Sequence, residues 1–155
     1  MAKVYFWKMT TEGVGHLSLQ LSDGTYISHW PKNTSGLKKP GTSQPSLETD
    51  IDLENRYPDE TYTIDKSGII DESKIRSWWN SYKSSSSYNL VTNNCGQVVR
   101  TALIQGGIEE TLPWHNKIGY YALYPLNTTP AVTPNDILNW IKYVVNLHGS
   151  FFKWS

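Results

Sequence analysis

The residues of this chain suited to covalent chemistry are a single cysteine, Cys95, and four histidines, His16, His29, His115 and His148. A thiol attacks an electrophile only as the thiolate, and a free cysteine with a pKa of about 8.5 is mostly protonated at neutral pH. The start of a helix and a neighbouring imidazole are two local devices that stabilise the thiolate. Thiol chemistry at Cys95 therefore requires structural elements that supply both.

Cys95 stands at the start of a predicted helix. Asn93 and Asn94 precede it, and asparagine is favoured as the cap of a helix N-terminus. The pattern ends at the glycine pair 106–107, as helices commonly do. Apolar residues follow the cysteine at helical spacing: Val98, Val99, Ala102 and Leu103. From position alone, a small buried structural cysteine is the alternative to a nucleophile.

Two of the histidines lie on a predicted β-hairpin, on either side of the turn sequence Ser22-Asp23-Gly24. If the strands pair symmetrically about Asp23 and Gly24, so that paired positions sum to about 47, His16 and His29 are diagonal neighbours on one face. The other face then carries leucines that point to the core: Leu17, Leu19 and Leu21.

This hairpin geometry predicts a shared site for the two imidazoles. One imidazole would deprotonate Cys95, and the second would orient the first, as the third member of a catalytic triad does. A zinc site built from His16, His29 and Cys95 is the alternative, since three protein ligands plus water suit catalytic zinc.

The remaining periodicity predicts further strands and helices around this site. Strands are expected near Val4–Met9, Glu60–Asp65 and Gly119–Leu123, and an irregular solvated loop over residues 32–58. Helices are expected over residues 72–83 and from residue 133 onward, each behind a capping side chain. Their buried faces are predicted as two sets: Ile75, Trp78, Trp79 and Tyr82, and Ile137, Trp140, Ile141, Val144 and Val145.

Composition excludes several classes of protein. The 155 residues suffice for one domain, and 14 Lys plus Arg balance 14 Asp plus Glu, which argues against a nucleic-acid partner. A single cysteine forms neither an intrachain disulfide nor a cysteine-rich zinc site. We see no apolar run of about 18 residues and no signal peptide, so we expect a protein that is cytoplasmic when made.

Two segments resemble the lecithin retinol acyltransferase-like family. Gly15–Pro31 is similar to its strand-turn-strand signature with two histidines, and Tyr88–Val99, centred on Asn94-Cys95-Gly96-Gln97, is similar to its Asn-Cys helix. These proteins are circularly permuted members of the NlpC/papain-like superfamily, in which the histidine precedes the cysteine. The resemblance implies one α+β catalytic domain over residues 1–155, with an antiparallel sheet packed against the helix that begins with the cysteine.

The resemblance also assigns roles to residues. Cys95 is the implied nucleophile, His16 its general base, and His29 the third member of the site. Backbone groups at the helix start would stabilise an oxyanion, with Asn94, Gly96 and Gln97 as the expected substrate or oxyanion residues. Neither a metal nor a cofactor is implied.

The implied activity is acyl transfer through a thioester on Cys95, with a glycerophospholipid ester as the expected substrate. The residues after the cysteine differ from those of the lipid-acting branch, so a peptidase or amidase acting on cell-wall peptides or a host protein remains an alternative. A non-catalytic, aromatic-rich binding domain is another.

Several partners are expected with these activities. If the substrate is a lipid, we expect the tail Phe151–Trp154 to contact the membrane surface. An effector or toxin delivered into a target cell would also have a cognate immunity or delivery protein.

Overall fold

The computed structural model describes residues 1–11, 15–31, 38–83, 87–89, 94–124 and 133–150. In chain order its elements are β1 (Ala2–Trp7), β2 (His16–Gln20), β3 (Tyr26–Ile27), β4 (His29–Pro31), β5 (Lys38–Ser43), α1 (Leu47–Glu54), β6 (Glu60–Ile64), α2 (Glu72–Tyr82), β7 (Ser87–Asn89), α3 (Cys95–Gln105), α4 (Trp114–Leu123) and α5 (Pro134–Ser150). Residues 90–93 of the predicted Asn-Cys segment and the tail Phe151–Trp154 lie outside the described residues.

The architecture is α+β and is built on a four-stranded antiparallel sheet in the order β3-β2-β1-β6. A smaller antiparallel sheet has the order β4-β5-β7. The predicted alternation along β2 is confirmed, because its leucines are buried in the main core. That core packs the sheet against α2, α3 and α5 through the following buried side chains: Leu17, Leu19, Leu21, Ile75, Val99, Leu103, Ile141 and Val144.

The other face of the large sheet is covered by α1. A second buried cluster joins Tyr5, Trp7 and Tyr26, and Leu47 and Ile51 of α1 pack against it. This face is therefore covered around these three aromatic residues, and α1 brings an acidic segment over it.

The expected irregular loop over residues 32–58 is wrong, because this region contains β5 and α1. Leu47 and Ile51 are one helical turn apart, so a helix here buries both against the aromatic face of the sheet. The acidic residues dominate the composition of this segment and obscured its short apolar stripe. Burial of that stripe supplies the stabilisation that the local sequence lacks.

The hairpin register differs from the prediction by one residue. Leu19 faces Ile27 and Gln20 faces Tyr26, so paired positions sum to 46 rather than 47. The Leu21 amide donates to the Thr25 carbonyl at 2.8 Å, which leaves a three-residue loop that ends at Gly24 with φ +93°. A shift of one residue moves side chains to the opposite face of a strand. His29 is therefore on the face opposite to His16.

The helix boundaries predicted from capping signals are confirmed for α2, α3 and α5. Asp71 accepts hydrogen bonds from the Ser73 and Lys74 amides at the start of α2. Thr133 and Asp136 cap the start of α5 by reciprocal hydrogen bonds. The predicted apolar face of α5 is fully buried: Ile137, Trp140, Ile141, Val144 and Val145.

The strand expected over Gly119–Leu123 is wrong, since these residues belong to α4. Tyr120 and Tyr124 are one turn apart and stack with ring centroids 5.5 Å apart, and the indole of Trp140 donates to the Tyr120 hydroxyl at 2.9 Å. Packing against α5 thus favours a helix where local composition suggested a strand.

Candidate active site

Cys95 is the first residue of α3, and its side chain is 5% exposed. The cap is the Asn94 side chain, whose Oδ1 accepts from the Gln97 amide at 3.0 Å, while the Val98 amide donates to the Asn94 carbonyl. Helix geometry supplies no intrahelical acceptor for the first amides, here those of Cys95 and Gly96. The sulfur therefore lies at the positive end of a helix, beside amides able to receive an anion.

The His16 imidazole interacts with the Cys95 side chain, and this interaction contributes to the raised pKa of His16. This imidazole is 1% exposed, and its Nε2 lies 2.8 Å from Ser28 Oγ and 3.1 Å from Asp50 Oδ2. Nε2 is engaged by these two oxygens, and Nδ1 is the ring nitrogen that they leave available. The predicted contact between the cysteine helix and the first histidine strand is present.

Asp50 is a fully buried carboxylate that accepts hydrogen bonds from a set of donors on the hairpin. Tyr26 donates its hydroxyl at 2.5 Å, Ser28 at 2.7 Å and the Trp30 indole at 2.7 Å. These donors alternate along the chain, so they share one face of the ribbon. Together with His16 they give Asp50 four hydrogen-bond donors, which offset the several kcal/mol that burying its charge would cost.

The hydrogen-bond pattern assigns the proton positions in the site. Ser28 has one hydroxyl proton and donates it to Asp50, so its oxygen accepts from His16 Nε2–H. Nε2 therefore carries a proton, and Nδ1 is the ring nitrogen left to take up or release one. This is the tautomer that a general base facing a thiol requires.

The electrostatics of the site favour a charged imidazole. Burial by itself lowers the pKa of His16, but the negative charge of Cys95 and the hydrogen bond to Asp50 outweigh it and raise the pKa to about 9. Burial likewise raises the pKa of Asp50, but hydrogen bonds from His16, Tyr26 and Ser28 hold it below its ordinary value. The buried His16 imidazole is therefore charged at neutral pH and has the Asp50 carboxylate behind it.

Burial raises the pKa of the Tyr26 phenol, and the neighbouring charge of Asp50 raises it further. Tyr26 is therefore a neutral hydroxyl that donates its proton to Asp50. Its oxygen also lies 2.7 Å from Ser18 Oγ, so β2 supports the network from behind.

The position behind His16 that was predicted for His29 is held by Asp50. His29 is 1% exposed, pairs with Ser43 of β5 and lies with its ring 5.9 Å from that of Tyr82. The physical reason is the register of the hairpin, which places Trp30 rather than His29 on the His16 side. A catalytic role for His29 stays a prediction.

Asp50 was missed because its segment was interpreted as a loop. The signal that would have found it is helical spacing: Leu47, Asp50 and Ile51 lie at positions i, i+3 and i+4. An acidic residue inside the apolar stripe of a helix must be buried, and a buried carboxylate requires partners.

The other predicted site residues serve the helix start. Asn94 caps the helix: its side-chain oxygen accepts a hydrogen bond from the backbone amide of Gln97, which is buried. A Cβ on Gly96 would lie 2.9 Å from Ile137 Cγ1, so this glycine permits the close approach of α3 to α5. Their observed contacts therefore position the sulfur; binding of substrate by any of them stays a prediction.

The other two histidines have different surroundings. His148 is buried, and its Nε2 lies 2.8 Å from the Ile108 carbonyl oxygen. His115 is exposed on α4, edge-on to the ring of Trp114. Over the described ranges, no group of three or more His, Cys, Asp or Glu side chains is arranged to hold a metal ion, so the zinc alternative has no ligand set there.

No protein-family model, curated protein or solved structure matches this chain. In the part of the chain that the structure covers, no helix combines the length and apolar character needed to cross a bilayer. The site itself is therefore the main basis for assigning a function.

Proposed function

We propose that this chain is a cysteine-dependent acyl hydrolase or acyltransferase with a permuted papain-like fold. Cys95 is the nucleophile, His16 the general acid and base, and Asp50 the residue that orients the imidazole. The observation that carries the proposal is the buried His16 imidazole, which interacts with the cysteine at a helix start and is hydrogen-bonded to the buried Asp50 carboxylate. A structural cysteine needs neither partner.

The proposed reaction has two steps. The Cys95 thiolate attacks an acyl carbonyl, and the amides of Cys95 and Gly96 receive the oxyanion. His16 Nδ1–H then gives its proton to the leaving oxygen or nitrogen as the acyl–leaving-group bond breaks, which leaves a thioester. Water or an alcohol acceptor next loses a proton to Nδ1, attacks the thioester and releases the thiolate.

The resemblance of the two segments supports a glycerophospholipid ester as the substrate. In the permuted superfamily the histidine strand precedes the cysteine helix, as β2 precedes α3 here. One observation favours an amide or peptide substrate instead. The lipid expectation rested on a pair of histidines, whereas the observed partner of His16 is the carboxylate of Asp50.

The two substrate classes are separated by their products. We would incubate the protein with phosphatidylcholine vesicles, with a short p-nitrophenyl ester and with a peptide anilide, and measure released fatty acid, phenol and amine. Acid quenching followed by intact mass spectrometry would detect the thioester. We expect an acyl adduct on the wild-type protein and none on Cys95→Ala.

Fatty acid release from vesicles would support the lipid substrate, and amine release would support the amidase. Absence of an adduct on Cys95 with every acyl donor would contradict the proposal. It would leave the non-catalytic binding domain as the better hypothesis.

A further inference from the structure

Trp30 contacts both partners that stand behind the Cys95 sulfur. Its indole ring stacks on the His16 imidazole, with ring centroids 4.2 Å apart and planes 22° apart. Its Nε1–H donates to Asp50 Oδ1 at 2.7 Å, while His16 is bonded to the other oxygen, Oδ2. The Trp30 side chain therefore packs against the face of the imidazole and is hydrogen-bonded to Oδ1 of the carboxylate.

A second indole lies near the same imidazole. The Trp7 ring centroid is 5.5 Å from that of His16, with the planes tilted by 48°. Trp7 is fully buried and donates its Nε1–H to the Arg56 carbonyl at 2.9 Å, so its ring is anchored elsewhere. Trp30 is only partly buried and is the indole whose hydrogen bond goes to the site itself.

Two physical effects follow from the Trp30 contacts. The negative face of an aromatic ring attracts a cation, and the attraction is stronger when the cation is desolvated, as the buried His16 ring is. The indole hydrogen bond also fixes the plane of the Asp50 carboxylate, which in turn fixes His16 Nε2. Both effects favour the imidazolium in the orientation that directs Nδ1 toward the sulfur.

We propose that Trp30 is a positioning residue that holds the His16 imidazole and the Asp50 carboxylate in one orientation and thereby sets the reactivity of Cys95. This inference rests on the proposed function and extends it to a residue that does not touch the reacting atoms. The titratable groups that act on His16 are Cys95 of α3, Asp50 and Glu54 of α1, and, through Asp50, Tyr26 of β3.

The test is the pH profile of Cys95 alkylation by iodoacetamide in three folded variants. Trp30→Phe keeps an aromatic face and removes the N–H, and Trp30→Leu removes both. Trp78→Leu is the matched control, because Trp78 is also partly buried but stacks on Tyr82 of α2. Thermal unfolding would establish that each variant is folded.

We expect wild-type protein to react at a nearly constant rate from about pH 6 to about pH 9, as a thiolate–imidazolium pair does. Trp30→Leu should react about tenfold more slowly near pH 6 and approach the wild-type rate near pH 9, where a free thiol also ionises. Trp30→Phe should fall between them, and Trp78→Leu should match the wild type.

Wild-type profiles in both Trp30 variants would overturn the role of Trp30 and leave the proposed function intact. If the wild-type rate itself rises steeply with pH as for a free thiol, the proposed function and the role of Trp30 both fail. If Trp30→Leu does not fold, the Trp30→Phe profile decides the outcome.

Discussion

His16, on β2 of the large sheet, and His29, on β4 of the small sheet, are both almost fully buried, yet their surroundings differ completely. His16 is hydrogen-bonded to the Asp50 carboxylate and stacked on Trp30, and its interaction with Cys95 raises its pKa. His29 packs beside the Tyr82 ring of α2. Burial of a histidine therefore says little about its chemistry; the side of the ribbon that it occupies decides its partners.

The length of the loop between β2 and β3 decides whether His29 lies on the same face of the ribbon as His16. A three-residue loop pairs Leu19 with Ile27, whereas a two-residue loop would pair positions that sum to 47 and bring His29 to the His16 side. The observed register instead presents Tyr26, Ser28 and Trp30 to Asp50. A pattern of alternating donors thus marks the functional face of this hairpin more reliably than a second histidine.

The largest contrast is expected between substitutions of the two histidines. His16→Gln removes the general acid and base, and we expect acyl turnover to fall by about 10³-fold. His29→Gln should leave turnover per folded molecule unchanged, since Asp50 holds the position behind His16. Steady-state kinetics on the best acyl donor would measure both, and an equal loss in the two variants would restore His29 to the site.

The next contrast compares two acidic residues of α1. Asp50→Asn directs an amide group toward buried donors and removes the charge that they solvate, so we expect a loss of about 3 kcal/mol in the free energy of unfolding. Asp52→Asn, at an exposed position of the same helix, should change it by less than about 0.5 kcal/mol. Urea unfolding would measure both variants.

The stabilities of these two aspartate variants should also differ in their dependence on acid pH. The pKa of Asp50 is held below its ordinary value of 3.8, so its stabilisation is present above that pH and is lost as the pH falls through the folded-state pKa. Asp50→Asn should lack this acid-side loss, and Asp52→Asn should retain it. Equal stability of the two variants at neutral pH would contradict the buried network.

The smallest effect concerns the loop that sets the register. Gly24 has φ +93°, a region that costs other residues about 1 kcal/mol, so Gly24→Ala should lower stability by that amount. Gly119 lies on exposed α4 with no atom within 4 Å of an added Cβ, and Gly119→Ala should raise stability by about 0.5 kcal/mol. Thermal unfolding would measure the stability of both variants. An equal change in stability in Gly24→Ala and Gly119→Ala would argue against a loop that depends on Gly24.

Much of the fold followed from local patterns. Alternation predicted the leucines of β2, and capping residues such as Asp71 and Thr133 predicted where α2 and α5 begin. These signals are local, so they do not depend on what the element packs against. The contact between Cys95 and His16 was expected from the order of the two segments and from their resemblance to a family.

The predictions that were wrong concern elements whose structure depends on contacts with residues far away in the sequence. α1 has only two apolar anchors, Leu47 and Ile51, and its burial requires the aromatic face that β1 and β3 form far away in the chain. The register of the hairpin depends on whether Ser22 opens a two- or three-residue loop, which local preference does not decide. Both failures affect the same residue, Asp50, because α1 carries it and the register selects its donors.

The most direct test of the account is an NMR titration of the His16 ring in wild-type protein and in Cys95→Ala. The charge of Cys95 raises the pKa of His16, so we predict a wild-type transition near pH 9 that moves to lower pH when the thiol is removed. The stability that His16 contributes should be complete below about pH 6.5 and be lost as the pH rises through that transition. Identical His16 titrations in the two proteins would contradict the interaction between Cys95 and His16 on which the proposed function rests.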